Sequence, residues 1–323
     1  MPPTTVVGNL APEADSRLPL RPFLKWAGGK RQLLAELRRC VPEGFRAYHE
    51  PFFGSGALFF DLVQRGQVTG KTACLVDNNA DLMGCYTAIR DRVDEVIAWL
   101  QLLASAHRDN PMEAYYRVRD RLFNPARRLF FAPGGQPRHY GAELAAMFIY
   151  LNRTGFNGLF RLNQRGEFNV PMGRYLNPTI CDERNLRNAA AALQPANVAL
   201  RTGEFDSILE IAAESDFVYL DPPYAPVSTT ANFTSYTSAG FSDDDQRRLQ
   251  KAVVGLAARG CHVVLSNSTA PLITELYATH SAARKVGLRV HKVAAKRAIN
   301  SDPSRRGKIA EYVITNVPRA PAA

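Results

Sequence analysis

Asp221, Pro222, Pro223 and Tyr224 form a consecutive group that combines a carboxylate, two rigid residues and an aromatic ring. The apolar run 217–220 directly before them is short and typical of a buried parallel strand. Because proline donates no hydrogen bond to a sheet, the strand is predicted to end there. Ligands of open α/β sheets bind just beyond the carboxyl ends of the strands. We therefore expect Asp221 and Tyr224 to face a crevice.

This arrangement suits chemistry on an exocyclic amino group attached to a planar ring. The carboxylate of Asp221 and the carbonyl of Pro222 can accept the two N–H hydrogens of such an amine, which favours a pyramidal and more nucleophilic nitrogen. The ring of Tyr224 offers an aromatic face on which the planar ring can stack. Taken alone, the four residues would also fit an ordinary strand that ends in a proline-rich turn.

The glycine-rich segment 26–31 could bind an anion. A Walker phosphate loop would need glycine at position 24 and Ser or Thr at position 31, where this chain has Leu24 and Arg31. A nucleotide triphosphatase is therefore disfavoured. A glycine-rich turn before a helix still offers free N–H groups to an anion, and Lys30 could pair with a carboxylate while Trp26 stacks on a planar or cationic group. A helix start with a core tryptophan fits equally well.

A second turn, with Gly54 and Gly56, lies between a predicted strand and an apolar helix. Glycines at these positions allow a ligand to approach the backbone closely. About 20 residues later the predicted strand 73–76 ends at Asp77, the usual place of an acid that binds ribose hydroxyls. No glycine follows Gly56 at the third position, so the dinucleotide fingerprint is incomplete. The pattern indicates an adenosine-bearing ligand without pyrophosphate.

These residues belong to two α/β stretches separated by a region of different character. Between 84 and 197 the segments 91–104, 111–123 and 143–153 have helical periodicity, whereas 152–171 is not helical. Five arginines crowd this region: Arg117, Arg119, Arg121, Arg127 and Arg128. Residues 164–166 are typical of a hairpin turn, and the Arg, Asn and aromatic residues around them suit a nucleic-acid reader. We predict a disordered tail at 1–20, one domain from 21–83 and 198–317, an inserted domain at 84–197 and a loose tail at 318–323.

Composition narrows the class of partner. The 323 residues carry a net charge of +10, which is compatible with a polyanionic partner. Five scattered cysteines without a Cys-x-x-Cys pair indicate a reducing, cytoplasmic setting. Scattered histidines give no sign of a metal site, and no apolar run is long enough to span a membrane. The basic loop 297–308 contains Arg305 and Arg306, which could be solvated or could contact phosphate.

Five segments in order, 23–30, 50–56, 156–161, 166–171 and 221–224, resemble the signature segments of the Dam-type family of DNA adenine-N6 methyltransferases, and the resemblance extends from Pro22 to Asn316. It implies a Rossmann-like methyltransferase sheet with an inserted, mostly helical DNA-recognition domain that carries a β-hairpin. It also implies S-adenosylmethionine as methyl donor, with Lys30 on the methionine carboxylate and Asp77 on the ribose. The residues that would bind the cofactor are Trp26, Lys30, Glu50, Phe52, Gly54, Gly56, Asp77 and Asp221.

The same resemblance implies direct methyl transfer to an adenine that is flipped out of double-stranded DNA. Asp221 would align the amine, Pro222 would accept its second hydrogen and Tyr224 would stack on the base. GATC is the expected site. The residues that would contact DNA are Lys25, Phe156, Asn157, Leu159, Arg161 and Pro171. The basic loop, rather than the resemblance, adds Arg305 and Arg306 as expected phosphate contacts. Phe156 stands where the family often has tyrosine, so stacking remains available but a phenolic hydrogen bond does not.

Other functions remain open on sequence alone. The same cofactor could serve methylation of an RNA base or of a protein amide, although the acid at position 221 favours adenine and the basic insertion favours DNA. A DNA-binding protein with an inactive catalytic fold is another alternative, disfavoured by the intact Lys30, Asp221 and Tyr224. A zinc base deaminase is disfavoured because its His-x-Glu and Cys-x-x-Cys signatures are absent. Whether a protein partner exists is not indicated.

Overall fold

The computed structural model describes residues 20–26, 28, 30, 33–132, 140–227, 241–296 and 308–321. Seven strands form one sheet in the order β3-β2-β1-β4-β5-β7-β6. Their bounds are β1 Ala47–Glu50, β2 Thr72–Asp77, β3 Val198–Thr202, β4 Phe217–Leu220, β5 His262–Ser268, β6 Arg289–Lys296 and β7 Lys308–Thr315. The first five strands are mutually parallel, and β7 runs antiparallel to both of its neighbours. The predicted Rossmann-like α/β sheet is thereby confirmed.

Strand β4 lies at the centre of this sheet, between β1 and β5. All four of its residues are buried, as expected of a parallel strand that is covered on both faces. It ends at Leu220, so the predicted strand before Asp221 is confirmed. The ends of β1, β2 and β4 meet at one edge of the sheet because parallel strands point the same way.

Ten α-helices surround the sheet in the described residues: α1 Leu34–Arg38, α2 Ala57–Gln64, α3 Ala80–Asp109, α4 Pro111–Tyr116, α5 Asn124–Phe130, α6 Ala142–Thr154, α7 Glu183–Leu193, α8 Asp243–Ala258, α9 Pro271–Ile273 and α10 Ser281–Lys285. Helix α8 begins with a capping box between Ser242 and Asp245. Acidic residues in its first turn complement the helix dipole.

The two faces of the sheet carry different layers. One core joins strand residues such as Tyr48 and Phe217 to the helices α3 and α6 through Tyr86 and Phe148. The other core packs α8, α9 and α10 against the opposite face, with Leu249 near its centre. The helices of the region 84–197 therefore share a continuous core with the sheet.

Helix α3 crosses the predicted domain boundary at residue 84 and is interrupted only at Arg92, where φ is −144° and ψ is 39°. The division into a catalytic and an inserted recognition domain stays a prediction. At the other end, the backbone N–H of Ala320 donates to the carbonyl of Arg39 at 2.8 Å. The predicted amino-terminal tail, apart from Leu20, lies outside the described residues.

Candidate active site and nucleic-acid interface

Three acidic residues meet at the carboxyl edge of the sheet. Glu50 is the last residue of β1, Asp77 is the last residue of β2, and Asp221 directly follows β4. Because β1 lies between β2 and β4, these side chains occupy neighbouring positions along one edge. Sequence reasoning placed Asp77 and Asp221 at such an edge, and the topology brings them together.

Asp221 is held by two donors. The Lys30 Nζ atom lies 2.9 Å from its Oδ1 atom, with the two side chains 8% and 19% exposed. The Ser266 hydroxyl donates to the same oxygen at 2.7 Å. Burial raises the pKa of Asp221, whereas Lys30 and then Ser266 act to lower it. The carboxylate is therefore a preorganised acceptor whose charge depends on its two neighbours.

Lys30 also contacts the aromatic ring of the site. Its Nζ atom lies 4.2 Å from the centroid of the Tyr224 ring, a cation–π distance. The Tyr224 hydroxyl donates to Glu311 Oε2 at 2.9 Å, and burial raises the pKa of Tyr224 so that the phenol stays neutral. The ring is thus fixed at one end by β7. Lys30, predicted as an anion site, is here the partner of both Asp221 and Tyr224.

Buried amides and hydroxyls support the loop after β4. Gln246 donates to the carbonyl of Pro223 at 2.9 Å, and the backbone N–H of Ala225 donates to Asn267 at 3.1 Å. Asn267 in turn donates to Gln246 at 3.1 Å. The loop carrying Pro222 and Tyr224 is therefore held from α8 and β5.

Sequence analysis missed Ser266, Asn267, Gln246 and Glu311. The polar run 266–268 at the end of a predicted strand was a signal for the first two. Ser266 sits beside Asp221 because Leu265 is the register partner of Leu220. Gln246 and Glu311 gave no comparable signal.

Asp77 fixes the glycine-rich turn after β1. Its two oxygens accept from the backbone N–H groups of Gly54 and Asn79, both at 2.9 Å. Burial raises the pKa of Asp77, and these two hydrogen bonds act to lower it. Each carboxylate oxygen retains a second lone pair, so the group can still accept from a ligand hydroxyl.

Both predicted glycines adopt left-handed backbone conformations, with φ of 49° at Gly54 and 64° at Gly56. A Cβ atom at Gly56 would lie 2.6 Å from the Phe53 ring, and one at Gly54 would lie 3.2 Å from Trp26. Trp26 therefore lies directly against the turn, where it can border a bound ligand. Its ring also stacks on Phe160, with centroids 6.1 Å apart.

Glu50 and Phe52 complete the predicted cofactor side. Glu50 is buried and accepts from the Tyr48 hydroxyl at 2.7 Å. Burial raises the pKa of Glu50 well above its ordinary value, and the charge of Asp221 acts in the same direction. The ring of Phe52 stacks on Phe205 at 5.3 Å.

The predicted hairpin turn at 164–166 is present. An isolated antiparallel bridge pairs Leu162 with Phe168, and Gly166 has a φ of 73°. Between this turn and α6 lie the exposed side chain of Phe156, 45% accessible, and Asn157, whose φ is 54°. A non-glycine residue with a positive φ is uncommon, so Asn157 marks a specialised turn.

Arg161 is half-buried and donates from Nε to Asn169 Oδ1 at 2.8 Å. Glu167, a possible alternative partner, is bound by Arg128 at 2.6 Å and by Asn163 at 3.2 Å. This bond uses only the Nε atom of the Arg161 guanidinium, and its two terminal nitrogens take no part in it. Leu159 is half-buried and Pro171 is exposed nearby.

Lys25 connects the predicted cofactor side to this hairpin. The side chain of Asn152 donates to the carbonyls of Lys25 at 2.7 Å and Gly158 at 2.9 Å. The Lys25 Nζ atom lies 3.6 Å from the Tyr175 ring centroid, and burial lowers the pKa of Lys25. Since Lys25 precedes Trp26, the two predicted sites are joined through adjacent residues.

Two predicted phosphate contacts, Arg305 and Arg306, lie outside the described residues. Across the described part of the chain no group of three or more His, Cys, Asp or Glu side chains could hold a metal ion. In the same part, no helix is long and apolar enough to cross a membrane.

Comparison with known proteins adds a family assignment. Residues 26–299 match the family described as D12 class N6 adenine-specific DNA methyltransferase. The chain is 38% identical to the Type II methyltransferase M1.LlaDCHI of Lactococcus lactis over 93% of its length and 97% of the relative. It is 40% identical to the Type II methyltransferase M.MjaIII of Methanocaldococcus jannaschii, covering 92% and 99%. It is 35% identical to the DNA adenine methylase of Escherichia coli K12, covering 91% and 94%.

Proposed function

The chain belongs to the D12 class of N6 adenine-specific DNA methyltransferases, and we propose that it uses S-adenosylmethionine to methylate adenine at N6 within the duplex sequence GATC. The observation that carries the proposed methyl transfer to an amine is the half-buried Asp221 carboxylate, which two donors hold at the carboxyl edge of the sheet. An ionised, preorganised acceptor at this position can bind an exocyclic amine.

The residues present fit S-adenosylmethionine. Lys30 uses one ion pair to Asp221 in this structure, and an ammonium group has three donors, so it can also bind the methionine carboxylate. Asp77 keeps lone pairs that can accept from ribose hydroxyls. Trp26 packs so closely on Gly54 that a side chain at position 54 would crowd it, so the backbone there stays open to the ligand. When bound, S-adenosylmethionine supplies a methyl group already activated by its sulfonium. These fits support the cofactor assignment as a proposal.

The chain's own residues then have to bind and align the base. The target adenine is stacked inside duplex DNA and has to be flipped out. The ring of Tyr224, fixed at its hydroxyl by Glu311, offers the face on which that adenine stacks. Asp221 accepts one N6 hydrogen and the Pro222 carbonyl accepts the other. Alignment of this kind contributes several kcal/mol, up to ~7–11 in favourable cases.

We assign site recognition to the hairpin and the residues around it. The guanidinium fork of Arg161 matches the O6 and N7 acceptors of guanine in the major groove. Phe156 is exposed and aromatic, as a residue that stacks or wedges between bases has to be. Lys25, Asn157, Leu159 and Pro171 complete the proposed DNA-contacting set. GATC as the recognition sequence rests on the resemblance of this hairpin to the Dam-type family.

The test is methylation in a host that lacks adenine methylation. Plasmid DNA from cells that express the chain should carry N6-methyladenine, and mapping should place it in GATC. Plasmid from cells that express the Asp221→Ala variant is the matched control and should be unmodified. Methylation at another sequence would refute GATC while leaving the activity intact. Transfer of a tritiated methyl group to RNA or protein rather than to DNA would refute the DNA substrate.

A further inference from the structure

The DNA-reading hairpin makes few regular sheet bonds of its own. Within the described residues 155–173, antiparallel pairing is limited to the bridges Leu162–Phe168 and Gly155–Met172. A segment that has to present Arg161 accurately therefore needs support from elsewhere. Part of that support comes from side chains between positions 115 and 127, beside a few backbone hydrogen bonds such as Asn163 N–H to the Glu167 carbonyl at 2.8 Å and Asn169 N–H to the Arg161 carbonyl at 3.2 Å.

The side chain of Asn124, the first residue of α5, makes the hydrogen bonds to the hairpin backbone that a neighbouring strand would otherwise make. Its amide nitrogen donates to the Phe168 carbonyl at 3.0 Å, and its amide oxygen accepts from the Phe168 N–H at 2.8 Å. The pair of bonds copies the exchange between two residues of an antiparallel ladder. Asn124 is 8% exposed and Phe168 is 3% exposed, so little competition from water is expected.

Further side chains continue this support along the hairpin. Tyr115 donates to the Val170 carbonyl at 3.0 Å and Arg119 donates to the same carbonyl at 3.1 Å. Arg127, one helical turn after Asn124, donates to the Gly166 carbonyl at 2.5 Å and pairs with the buried Asp81 at 2.8 Å. The turn of the hairpin is thereby tied to the first turn of α3.

The bonds to Phe168 have a consequence for the residue after it. Successive side chains of an extended segment point to opposite sides, and the side chains of Phe168 and Val170 are buried. Asn169 between them points the other way, where its Oδ1 atom accepts from Arg161 Nε at 2.8 Å. Fixing the backbone of Phe168 thus fixes Asn169, and Asn169 orients the guanidinium of Arg161.

We propose that Asn124 is a specificity-determining positioning residue, which acts on base recognition through Phe168, Asn169 and Arg161 without contacting DNA. This inference rests on the proposed function, in which Arg161 reads a guanine. Asn124 lies 37 positions from Arg161 in the sequence, and both ends of its amide bind the backbone of Phe168 in the two bonds described.

The experiment compares kcat/KM on GATC and on duplexes altered at the guanine assigned to Arg161. Asn124→Ala should lower the discrimination between these duplexes by roughly 5- to 100-fold, the range expected when a bidentate base contact is lost. Arg128→Ala is the matched control, because Arg128 lies on the same helix and binds the same hairpin through Glu167 at the surface. It should keep the wild-type discrimination.

A double variant separates positioning from a general structural effect. In the Arg161→Ala background, Asn124→Ala should cause no further loss of discrimination, because both changes remove the same contact. Independent, additive losses would overturn the proposal, as would an equal fall in kcat/KM on every duplex. If Asn124→Ala does not fold, Asn169→Ala decides, since it removes only the last link. Wild-type discrimination in Asn169→Ala would overturn the proposal.

The proposed function fails by a different result. A wild-type protein that transfers no methyl group to DNA, or that ignores the guanine, contradicts the proposed function itself. A wild-type protein that discriminates strongly, together with an Asn124→Ala variant that discriminates equally well, contradicts only the positioning role of Asn124.

Discussion

Removal of the Ser266 hydroxyl should change the pH dependence of methyl transfer. Ser266 is fully buried on β5, and its hydroxyl donates to Asp221 Oδ1 at 2.7 Å. Burial raises the pKa of Asp221, and the Ser266 hydrogen bond is one of the contacts that oppose this effect. In Ser266→Ala the pKa of Asp221 should therefore rise further.

The size of the effect follows from the kind of bond that is lost. A hydrogen bond to a charged group contributes ~1.5–3 kcal/mol, and the Ser266 bond favours only the ionised carboxylate. A protonated Asp221 is a poorer acceptor for the adenine amine, so activity falls as pH decreases through the Asp221 pKa. In Ser266→Ala that fall should begin at a higher pH. Below that pH, the Ser266→Ala variant should be roughly 10- to 100-fold slower than the wild type. At high pH the two rates should converge.

The assay is single-turnover methyl transfer across a pH series with saturating DNA and cofactor. Tyr219→Phe is the control, because the Tyr219 hydroxyl lies 3.3 Å from Ser266 but does not bind Asp221. Ser266→Ala leaves this buried hydroxyl without that partner, at a cost of ~1–3 kcal/mol in the free energy of unfolding. The double variant should recover stability while keeping the shifted pH profile. Coincident acidic limbs for wild type and Ser266→Ala would refute the reasoning.

Four further results are expected. Lys30→Ala should weaken cofactor binding by ~1.5–3 kcal/mol in calorimetric titration, and an unchanged affinity would exclude a carboxylate contact. Asp221→Ala should retain less than about a tenth of the rate, a loss above ~1.4 kcal/mol, while 2-aminopurine fluorescence still reports base flipping; faster turnover would remove Asp221 as the key acceptor. Gly56→Ala should lower the free energy of unfolding by ~1–3 kcal/mol, because its φ is 64° and an added Cβ would meet the Phe53 ring. Gly255→Ala in α8, where an added Cβ meets nothing within 4 Å, should raise stability by ~0.5–1 kcal/mol, and similar denaturant midpoints for both variants would contradict the argument.

The elements at the catalytic edge were predictable because their signals are local. Phe217–Leu220 is an apolar run ended by prolines, and Asp77 closes the predicted strand 73–76. The pairing of Asp221 with Lys30 was not predictable, since it depends on how the segment before α1 folds over the sheet. The same applies to Glu311, which reaches Tyr224 only because β7 returns antiparallel beside β5.

The contacts that support the hairpin were also not predictable from the sequence. Its turn was visible in the residues 164–166, but its supports are side chains that precede it by some 40 positions. The π-helical segment Arg117–Phe123 before α5 had a helical pattern like any other. Its wider winding shifts which side chains face the hairpin, so the roles of Arg119 and Asn124 required the three-dimensional arrangement.

The position of β1 inside the sheet, between β2 and β4, has a consequence for biosynthesis. β1 is made early, but its neighbour β4 follows much later, and the contact between His49 and Asp216 joins residues 167 positions apart. At ~5–20 residues synthesised per second, roughly 8–33 s pass before β4 can pair with its edge of β1. An uncovered apolar strand edge is a template for pairing with other chains. The yield of this protein in cells should therefore respond to translation speed and chaperone supply, even for variants whose folded state is fully stable.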